Sequence, residues 1–374
     1  MNNNVRWVRL GDYIQRSMVN NKNLQYSADL IEGVNSNGEF CPPKANTVGI
    51  NLKPYKIVQD GDFVYNPSRL NIGSLAFRTD GLCIVSHLYV VFHLNELGRE
   101  KLLPEFLLLY FKRDEFLRLI DYLNFGSQRP EFNFFDMSEI KIPLPDIETQ
   151  QELVDSYSGL KTLAEQNEAL IAPLTEACQA YIVECKKKYP EVELGNYIEE
   201  IVLRIGDNTS IDISGINLEQ GFIPTVANMN GIDKSKYKLV PVYSFACNLM
   251  HIGRDVKIPI AFNDNNKSIA VSPAYYIFKI KESEKRKILD FYLKIILTRD
   301  EFGRLAWFHT DSSIRGNLLT SEFRNIRIPL PPSDVQQAIV NLYTCAEDAK
   351  KIAKTAREKM KILCPALMQK AING

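Results

Sequence analysis

The residue types and spacings that support catalysis are largely missing from this sequence. The four histidines, at positions 87, 93, 251 and 309, form neither an H-E-x-x-H motif nor a pair spaced for zinc. Glycine-rich sequences of the kind that cradle phosphates are also absent from the sequence. Tyr65-Asn66-Pro67-Ser68 has a faint likeness to the Asn-Pro-Pro-Tyr tetrapeptide of adenine methyltransferases, but it lacks the second proline and the stacking aromatic residue. We therefore interpret it as a turn.

One further segment carries paired acids. Pro145-Asp146-Ile147-Glu148 resembles the start of a restriction-nuclease carboxylate motif, but the lysine that should follow is absent. Acidic residues at the beginning of a helix, with an N-cap, explain this segment better. A chain of this length without a convincing active site is more typical of a binding or scaffolding protein than of an enzyme.

The composition is that of a globular protein with balanced charge. Its 374 residues include 45 basic and 45 acidic side chains, so any DNA-binding surface must be a local basic face. The longest apolar runs are too short to span a bilayer, and the polar N-terminus does not resemble a signal peptide. Seven cysteines without a C-x-x-C pair favour reduced thiols rather than disulfides or zinc. We therefore expect a cytoplasmic protein without its own metal.

The sequence contains a long internal repeat. Three motifs recur in the same order at nearly one spacing: residues 8–14 recur at 192–198, residues 113–116 at 299–302, and the I-x-I-P-L-P segment 140–145 at 326–331. The pair Gln150-Gln151 likewise falls on Gln336-Gln337, 186 residues later. A period this long indicates a duplicated domain rather than a solenoid unit.

Each half is predicted to fold in the same order. Short strands come first, for example at 62–65, 82–85, 88–92 and 275–278. A single apolar helix follows at 104–123 or 287–306, and then a polar loop at 126–130 or 312–316. The I-x-I-P-L-P segment should end the globular part, because proline cannot continue a strand ladder.

Two heptad patterns follow the two globular parts. Apolar residues alternate at spacings of four and three from Leu153 to Cys185 and from Leu342 to Leu367, with the polar Asn167 at one core position. The seam residues chosen for helix packing and subunit docking are Leu153, Tyr157, Leu160, Leu174, Leu342, Ala353, Ala356 and Met360. Ser333 and Gln336 fit a capping box at the start of the second helix. Pro173 and Pro365 should kink or interrupt their helices.

The two helices are expected to pair with each other. The first carries a net charge of −4 and the second +3, and small alanines on one seam face larger residues on the other. The alternative is that each helix packs separately on its own domain. We predict an α+β protein with two similar globular α/β domains, at 1–145 and 189–331. Two long helices, at 146–188 and 332–374, separate them and pack as an antiparallel coiled coil about 60 Å long.

This order of segments resembles the specificity (S) subunit of type I restriction-modification systems over essentially the whole chain. The resemblance is carried by the duplicated I-x-I-P-L-P, Gln-Gln and heptad helix. Gln150-Gln151 and Gln336-Gln337 replace the common Glu-Gln, and Ser312-Ser313-Ile314-Arg315 replaces the glycine-rich run that the first half keeps at 126–129.

The resemblance implies a non-catalytic DNA-recognition subunit. Each globular half would be a target-recognition domain that reads one half of a bipartite double-stranded DNA site, with the helices as a ruler. Two methyltransferase (M) subunits and the restriction (R) subunits would be its partners. S-adenosylmethionine, ATP and Mg would be bound by those subunits and not by this chain.

The residues that would contact DNA are inferred from polar loops in corresponding places of the two halves. Phosphate contacts need cations and hydroxyls, while base reading in the major groove favours Arg, Lys, Asn and Gln. The DNA-binding candidates are Lys44, Asn66, Arg69, Gln128 and Arg129 in the first half, and Asn248, His251, Arg254, Lys257 and Arg315 in the second.

Purely structural roles remain open for several of these residues. The asparagines could serve only their turns, and Arg129 and Arg315 could only tie a loop to a neighbouring carboxylate. Two other classes of protein also remain open. One is a protein-only adaptor or inhibitor that imitates an S subunit, and the other is a solitary, divergent DNA nuclease or methyltransferase.

Overall fold

A computed structural model of the chain describes residues 6–44, 46–124, 131–206, 211–217, 219–225, 232–250, 257–311 and 316–373, with side chains up to residue 362. The chain divides into two compact units. Unit 1 comprises Met1–Gln166 and Ile352–Gly374, and unit 2 comprises Asn167–Lys351.

The strands follow one another in the same order in both halves. The strands of the first half are β1 (Arg6–Arg9), β2 (Ile14–Ser17), β3 (Gly33–Val34), β4 (Phe40–Cys41), β5 (Lys56–Val58), β6 (Asp62–Tyr65), β7 (Leu75–Phe77), β8 (Cys83–Val85), β9 (Val90–Leu94) and β10 (Lys141–Leu144). The strands of the second half are β11 (Glu191–Glu193), β12 (Ile198–Glu200), β13 (Ser214–Ile216), β14 (Phe222–Pro224), β15 (Lys238–Val240), β16 (Phe245–Cys247), β17 (Ile260–Phe262), β18 (Ile269–Val271), β19 (Tyr276–Ile280) and β20 (Arg327–Pro329).

Helices are concentrated after the strands of each half. They are α1 (Glu96–Lys101), α2 (Pro104–Phe111), α3 (Asp114–Leu123), α4 (Phe134–Glu139), α5 (Ile147–Lys188), α6 (Asp290–Thr298), α7 (Asp300–Phe308), α8 (Thr320–Asn325) and α9 (Ser333–Asn373). Short 3-10 turns lie at Leu10–Asp12, Ala28–Leu30, Leu70–Ile72, Leu194–Asn196, Lys234–Lys236 and Glu282–Glu284.

The sheets repeat strand for strand. A four-stranded sheet of order β2-β9-β6-β7 in the first half has its counterpart in β12-β19-β16-β17 in the second. The two-stranded pairs β1-β10, β3-β4 and β5-β8 recur as β11-β20, β13-β14 and β15-β18, and all of these pairings are antiparallel. The duplication read from the sequence is therefore a duplication of topology.

The core of each four-stranded sheet uses the same aromatic pair. Phe63 and Phe92 stack with ring centroids 5.0 Å apart and planes 9° from parallel. Phe245 and Phe278 stack at 5.0 Å and 7° in the second half. All four rings are fully buried, and such stacking adds to the free energy gained from their burial. The two cores were thus built from one template.

The predicted single apolar helix of each half is two helices in the structure. The first half breaks at Arg113, whose backbone is extended (φ −74°, ψ 141°), and the second at Arg299 (φ −70°, ψ 144°). Acidic pairs follow directly, Asp114-Glu115 and Asp300-Glu301, and they favour a new helix N-terminus at these positions. The shared Arg-Asp-Glu-Phe motif is therefore a helix boundary.

Glycine is needed at one repeated position because of a close approach. A Cβ on Gly11 would lie 2.8 Å from the Cβ of Ser138, and a Cβ on Gly195 would lie 2.9 Å from the Cβ of Arg324. The repeated Leu-Gly pair thus lets the first turn of each half pack directly against the short helix α4 or α8.

Pro143 does not end its strand, contrary to the prediction, whereas Pro329 is the last residue of β20. Pro143 pairs with Trp7 in β10, and Pro329 pairs with Glu191 in β20. Both strands belong to two-stranded sheets, in which every strand has an open edge. Such an edge tolerates a residue without an N–H.

The long helices form the predicted seams. Leu153, Ala164, Cys178 and Cys185 of α5 are buried, and every other predicted seam position of α5 is at least partly buried. On α9, Ala346, Ala349, Ala353, Ala356 and Met360 are buried and Leu342 is half-buried. The predicted interruption at the two prolines does not occur. Helix α5 continues through Pro173, and α9 continues through position 365.

Each unit contains a part of both helices. Unit 1 contains the first part of α5 and the last part of α9, and unit 2 contains the last part of α5 and the first part of α9. The start of α5 thus groups with the end of α9, and the end of α5 with the start of α9, which is the arrangement of two antiparallel helices. In unit 2 the thiol of Cys178 lies 3.8 Å from the carbonyl oxygen of Ile339. The predicted α+β fold class with two long paired helices is confirmed.

Candidate nucleic-acid interface

The two candidate asparagines occupy the same turn in the two halves. The Asn66 side-chain oxygen accepts from the N–H of Ser68 at 3.1 Å, directly after β6. The Asn248 oxygen accepts from the N–H of Met250 at 3.0 Å, directly after β16. Their backbone N–H groups also have equivalent partners, the carbonyl oxygens of Ser74 and Pro259. Both asparagines therefore shape the loop that leaves the strand.

The polar loop of each half is attached to this turn. The N–H of Phe132 donates to the carbonyl oxygen of Pro67 at 3.1 Å, and the N–H of Leu318 donates to that of Leu249 at 2.8 Å. Phe132 and Leu318 are buried, so these bonds hold the ends of the two loops together. In both halves the turn after the strand therefore lies beside the end of the polar loop, at Phe132 or Leu318.

The described cations of the interface differ in their partners. Lys44 is exposed in the segment after β4, and Arg69 is exposed immediately before the 3-10 turn Leu70–Ile72. Lys257 is paired with the carboxylate of Asp300 at 2.8 Å. Gln128, Arg129, His251, Arg254 and Arg315 lie outside the described residues.

The loop after β6 also differs in length between the halves. Equivalent residues are 182 apart from β3 to the end of β6, as for Tyr65 and Cys247, and 185 apart at the next strand, as for Leu75 and Ile260. The second half thus has three more residues in the loop that carries the candidate asparagine and its neighbouring cations. A frame that is kept and a loop that varies are typical of a binding surface on a rigid scaffold.

The sequence did not reveal a lysine–tyrosine pair that is repeated in the two halves. The Lys56 ammonium group donates to the carbonyl oxygen of Tyr89, and that of Lys238 donates to the carbonyl oxygen of Tyr275 at 2.7 Å. The tyrosine hydroxyls accept from the N–H groups of Val34 and Ile216 in the hairpins β3-β4 and β13-β14. Burial, together with the charge of Arg16, lowers the pKa of Lys56. The pair fixes each hairpin to its sheet.

The function of the duplicated glutamine also became visible only in the structure. Gln150 is fully buried, its side-chain oxygen accepts from the N–H of Leu103 at 2.8 Å, and its amide donates to the carbonyl oxygens of Lys101 (2.9 Å) and Pro145 (2.8 Å). The predicted capping box is wrong, because Gln336 makes the same three bonds, to Leu289, Lys287 and Pro331. The Ser333 hydroxyl instead donates to the carbonyl oxygen of Arg286. Each glutamine joins a long helix to its domain.

The acids considered as a nuclease motif have a capping role. The Asp146 carboxylate accepts from the N–H of Thr149 at 2.8 Å at the start of α5, and this bond lowers the pKa of Asp146. Among the residues that the structure describes, no group of three or more His, Cys, Asp or Glu side chains could hold a metal ion. No described helix is both long and apolar enough to cross a membrane.

The fold is a duplicated domain with a long helix after each copy. Residues 8–176 match the family model described as the type I restriction modification DNA specificity domain. The second half of the chain repeats the fold of these residues. No curated protein sequence matches the chain.

Two solved structures were found to be similar to the chain. The S subunit of a type I restriction-modification system from M. genitalium is 12% identical, with a TM-score of 0.60 over 99% of this chain and 97% of that one. The HsdS subunit from Thermoanaerobacter tengcongensis is 17% identical, with a TM-score of 0.44 over 100% and 97% of the two chains. The first likeness supports the fold.

Proposed function

We propose that this chain is the DNA-recognition subunit of a type I restriction-modification complex and reads a bipartite site. The observation that carries the proposal is the match of residues 8–176 to a DNA specificity domain, together with the repetition of its fold, strand-end turns and helix joints in the second half. Each half would read one half-site through the loops after β6 and α3, or after β16 and α7. Because these loops differ between the halves, the two half-sites should differ in sequence.

The chemistry of the complex would belong to the partner subunits. Two M subunits would bind S-adenosylmethionine and methylate adenine, and R subunits would use ATP and Mg to translocate and cleave DNA. This chain would supply recognition and placement. The paired helices would set the distance between the half-sites and provide surfaces for assembly.

Co-expression with candidate M subunits, followed by mapping of modified adenines, tests the proposal. The expected result is methylation within a two-part motif with a fixed spacer. Exchange of residues 1–145 for the equivalent domain of a relative should then alter one half of the motif only. A change in both halves would contradict modular reading.

Two other outcomes would identify a different function. Failure to bind any duplex with M subunits present would indicate a protein-only adaptor or inhibitor. Turnover of DNA by the purified chain alone, with Mg or S-adenosylmethionine, would indicate an enzyme.

A further inference from the structure

A concave surface of unit 2 combines exposed arginines with an exposed aromatic ring. It encloses about 650 Å³ beside α7 and β20, and its lining includes Arg304, Phe308 and Arg327. Phe308 is 80% exposed, although it is one of the largest apolar side chains. We call these three residues the arginine–aromatic surface of unit 2.

The bottom of this concavity is apolar and its rim is basic. Phe302 and Ile328 are buried beneath it. The carboxylate of Glu301 is shared by Lys186 and Arg299, and these two cations hold its pKa below the usual range, with the Lys186 bond as the largest cause. Four basic and two acidic side chains line the whole concavity, so the net charge of its lining is positive.

The first half carries the same residue types at equivalent positions. Arg118, Tyr122 and Lys141 lie 186 residues before Arg304, Phe308 and Arg327. The three residues are exposed in unit 1, the Arg118 side chain to 70% and Tyr122 to 77%. They form the arginine–aromatic surface of unit 1.

Folding does not account for this repetition. Exposed aromatic side chains add little to the stability of a domain, and the residues on both sides of the aromatic position have diverged. Asp121 corresponds to Trp307, and Leu123 corresponds to His309. An exposed ring that is retained between two changed neighbours indicates a contact that both halves make.

A shared contact must fit a partner common to both halves. Base-reading loops cannot provide it, because their length and sequence differ between the halves. The phosphates of a DNA backbone could pair with the arginines. They would also place charged, hydrated groups against the apolar bottom of the concavity and the exposed aromatic ring, which is unfavourable. Aromatic and arginine side chains over an apolar floor are the composition of the energetically dominant part of protein interfaces.

We infer that the two arginine–aromatic surfaces are docking sites for two copies of one protein subunit, each copy inserting an apolar side chain flanked by carboxylates. The inference rests on the proposed function, which supplies such a partner in the M subunit. Duplication explains how one chain recruits two identical copies, since each half presents one site. The positive rim selects an acidic segment and steers its approach.

Stoichiometry provides the test. The tagged full-length chain is co-purified with M subunits, and native mass spectrometry counts the copies bound. The wild type should bind two, and the pair Arg304→Glu with Phe308→Ala should leave one, with affinity for the lost copy reduced roughly thirty-fold or more. Arg118→Glu with Tyr122→Ala should also leave one copy, and the four changes together should leave none.

Matched variants control for general effects. Phe308→Tyr should keep both copies, because Tyr122 occupies the equivalent position. Lys53→Glu reverses the charge of another exposed side chain of unit 1, outside α3 and β10 in sequence, and it should also keep both copies. Unchanged thermal unfolding of the exposed-residue variants shows that the fold is intact.

Three results would overturn the inference. Two bound copies in every variant would show that the surfaces are not docking sites. Unchanged assembly with weakened duplex binding would show that they contact DNA. A wild-type chain that recruits no M subunit would overturn the proposed function itself, and it would be recognised before any variant is compared.

Discussion

Replacement of Gln150 by alanine should destabilise unit 1 far more than replacement of its neighbour Gln151. Gln150 is fully buried and bonds three backbone groups, the N–H of Leu103 and the carbonyl oxygens of Lys101 and Pro145. Gln151 is exposed and bonds only Asp155 on its own helix.

The size of the effect follows from these partners. Each buried backbone group left without a partner costs about 1–3 kcal/mol, so three groups at the lower end give about 3 kcal/mol. An exposed bond one helical turn away is worth about 0.2–0.5 kcal/mol. For a unit of this size, with an m-value of about 2–3 kcal/mol/M in urea, Gln150→Ala should lower the midpoint by about 1–1.5 M.

The chain carries its own reporters for the two units. Trp7 lies in the first half and Trp307 in the second, and the sequence contains no other tryptophan. In a Trp307→Phe background, fluorescence during urea unfolding follows unit 1, and in a Trp7→Phe background it follows unit 2. Gln150→Ala should shift the Trp7 transition, and Gln336→Ala should shift the Trp307 transition.

A charged replacement tests the hydrogen bonds more directly than truncation. The carboxylate of Gln150→Glu could accept from Leu103, but it would face the carbonyl oxygens of Lys101 and Pro145 without a proton to donate. Burial and those oxygens should raise the pKa of this carboxyl above its value in the unfolded chain. The folded state therefore takes up the proton first, and the deficit relative to the wild type should shrink as pH falls. Midpoint shifts for Gln150→Ala no larger than for Gln151→Ala would refute the reasoning.

Three further predictions concern the helices, the loops and the thiols. Ala353→Leu with Ala356→Leu should overfill the closely packed helices at a cost of about 1–3 kcal/mol and, with far-UV circular dichroism retained, abolish bipartite binding or assembly; an unchanged complex would show that the helices are not a ruler. Arg129→Ala or Arg315→Ala should weaken cognate DNA binding by about 1–3 kcal/mol at unchanged melting temperature, and loss of folding would indicate a loop tether instead. Cys345 is exposed, whereas burial raises the pKa of the buried thiols, so maleimide should label it before them in the native protein, as peptide mass spectrometry would show.

Most of the architecture could be predicted from the sequence because the same pattern of strands and helices occurs in both halves. The strands at 62–65, 82–85 and 275–278 were found within two residues of β6, β8 and β19. The heptad positions predicted the buried faces of α5 and α9 as far as residue 360. A pattern that depends on local periodicity, and that recurs at one offset, can be read without knowing which segments meet.

Features that depend on contacts between distant segments could not be read in this way. The capping box at Ser333 failed because Gln336 reaches across to Lys287 and Leu289, 49 and 47 residues away in sequence. The prediction of a single helix at 104–123 failed because the extended backbone of Arg113 separates α2 from α3, and both helices then pack into the same core. The asparagines were identified by position, but their use of Ser68 and Met250 as partners required coordinates.

The comparison between the halves separates the parts of the molecule by function. Residues retained in buried, hydrogen-bonded places, such as Gln150 and Gln336, hold the same frame together twice. The loop after β6 and β16 changes length within that frame, so it can present different side chains to different sequences without disturbing the helix joint. Residues retained on the surface, such as Arg118 and Arg304, neither hold the frame together nor vary between the halves as the loops do. The proposed function, reading two unlike half-sites while recruiting two identical subunits, would require all three classes of position, and each class is present in both halves of this chain.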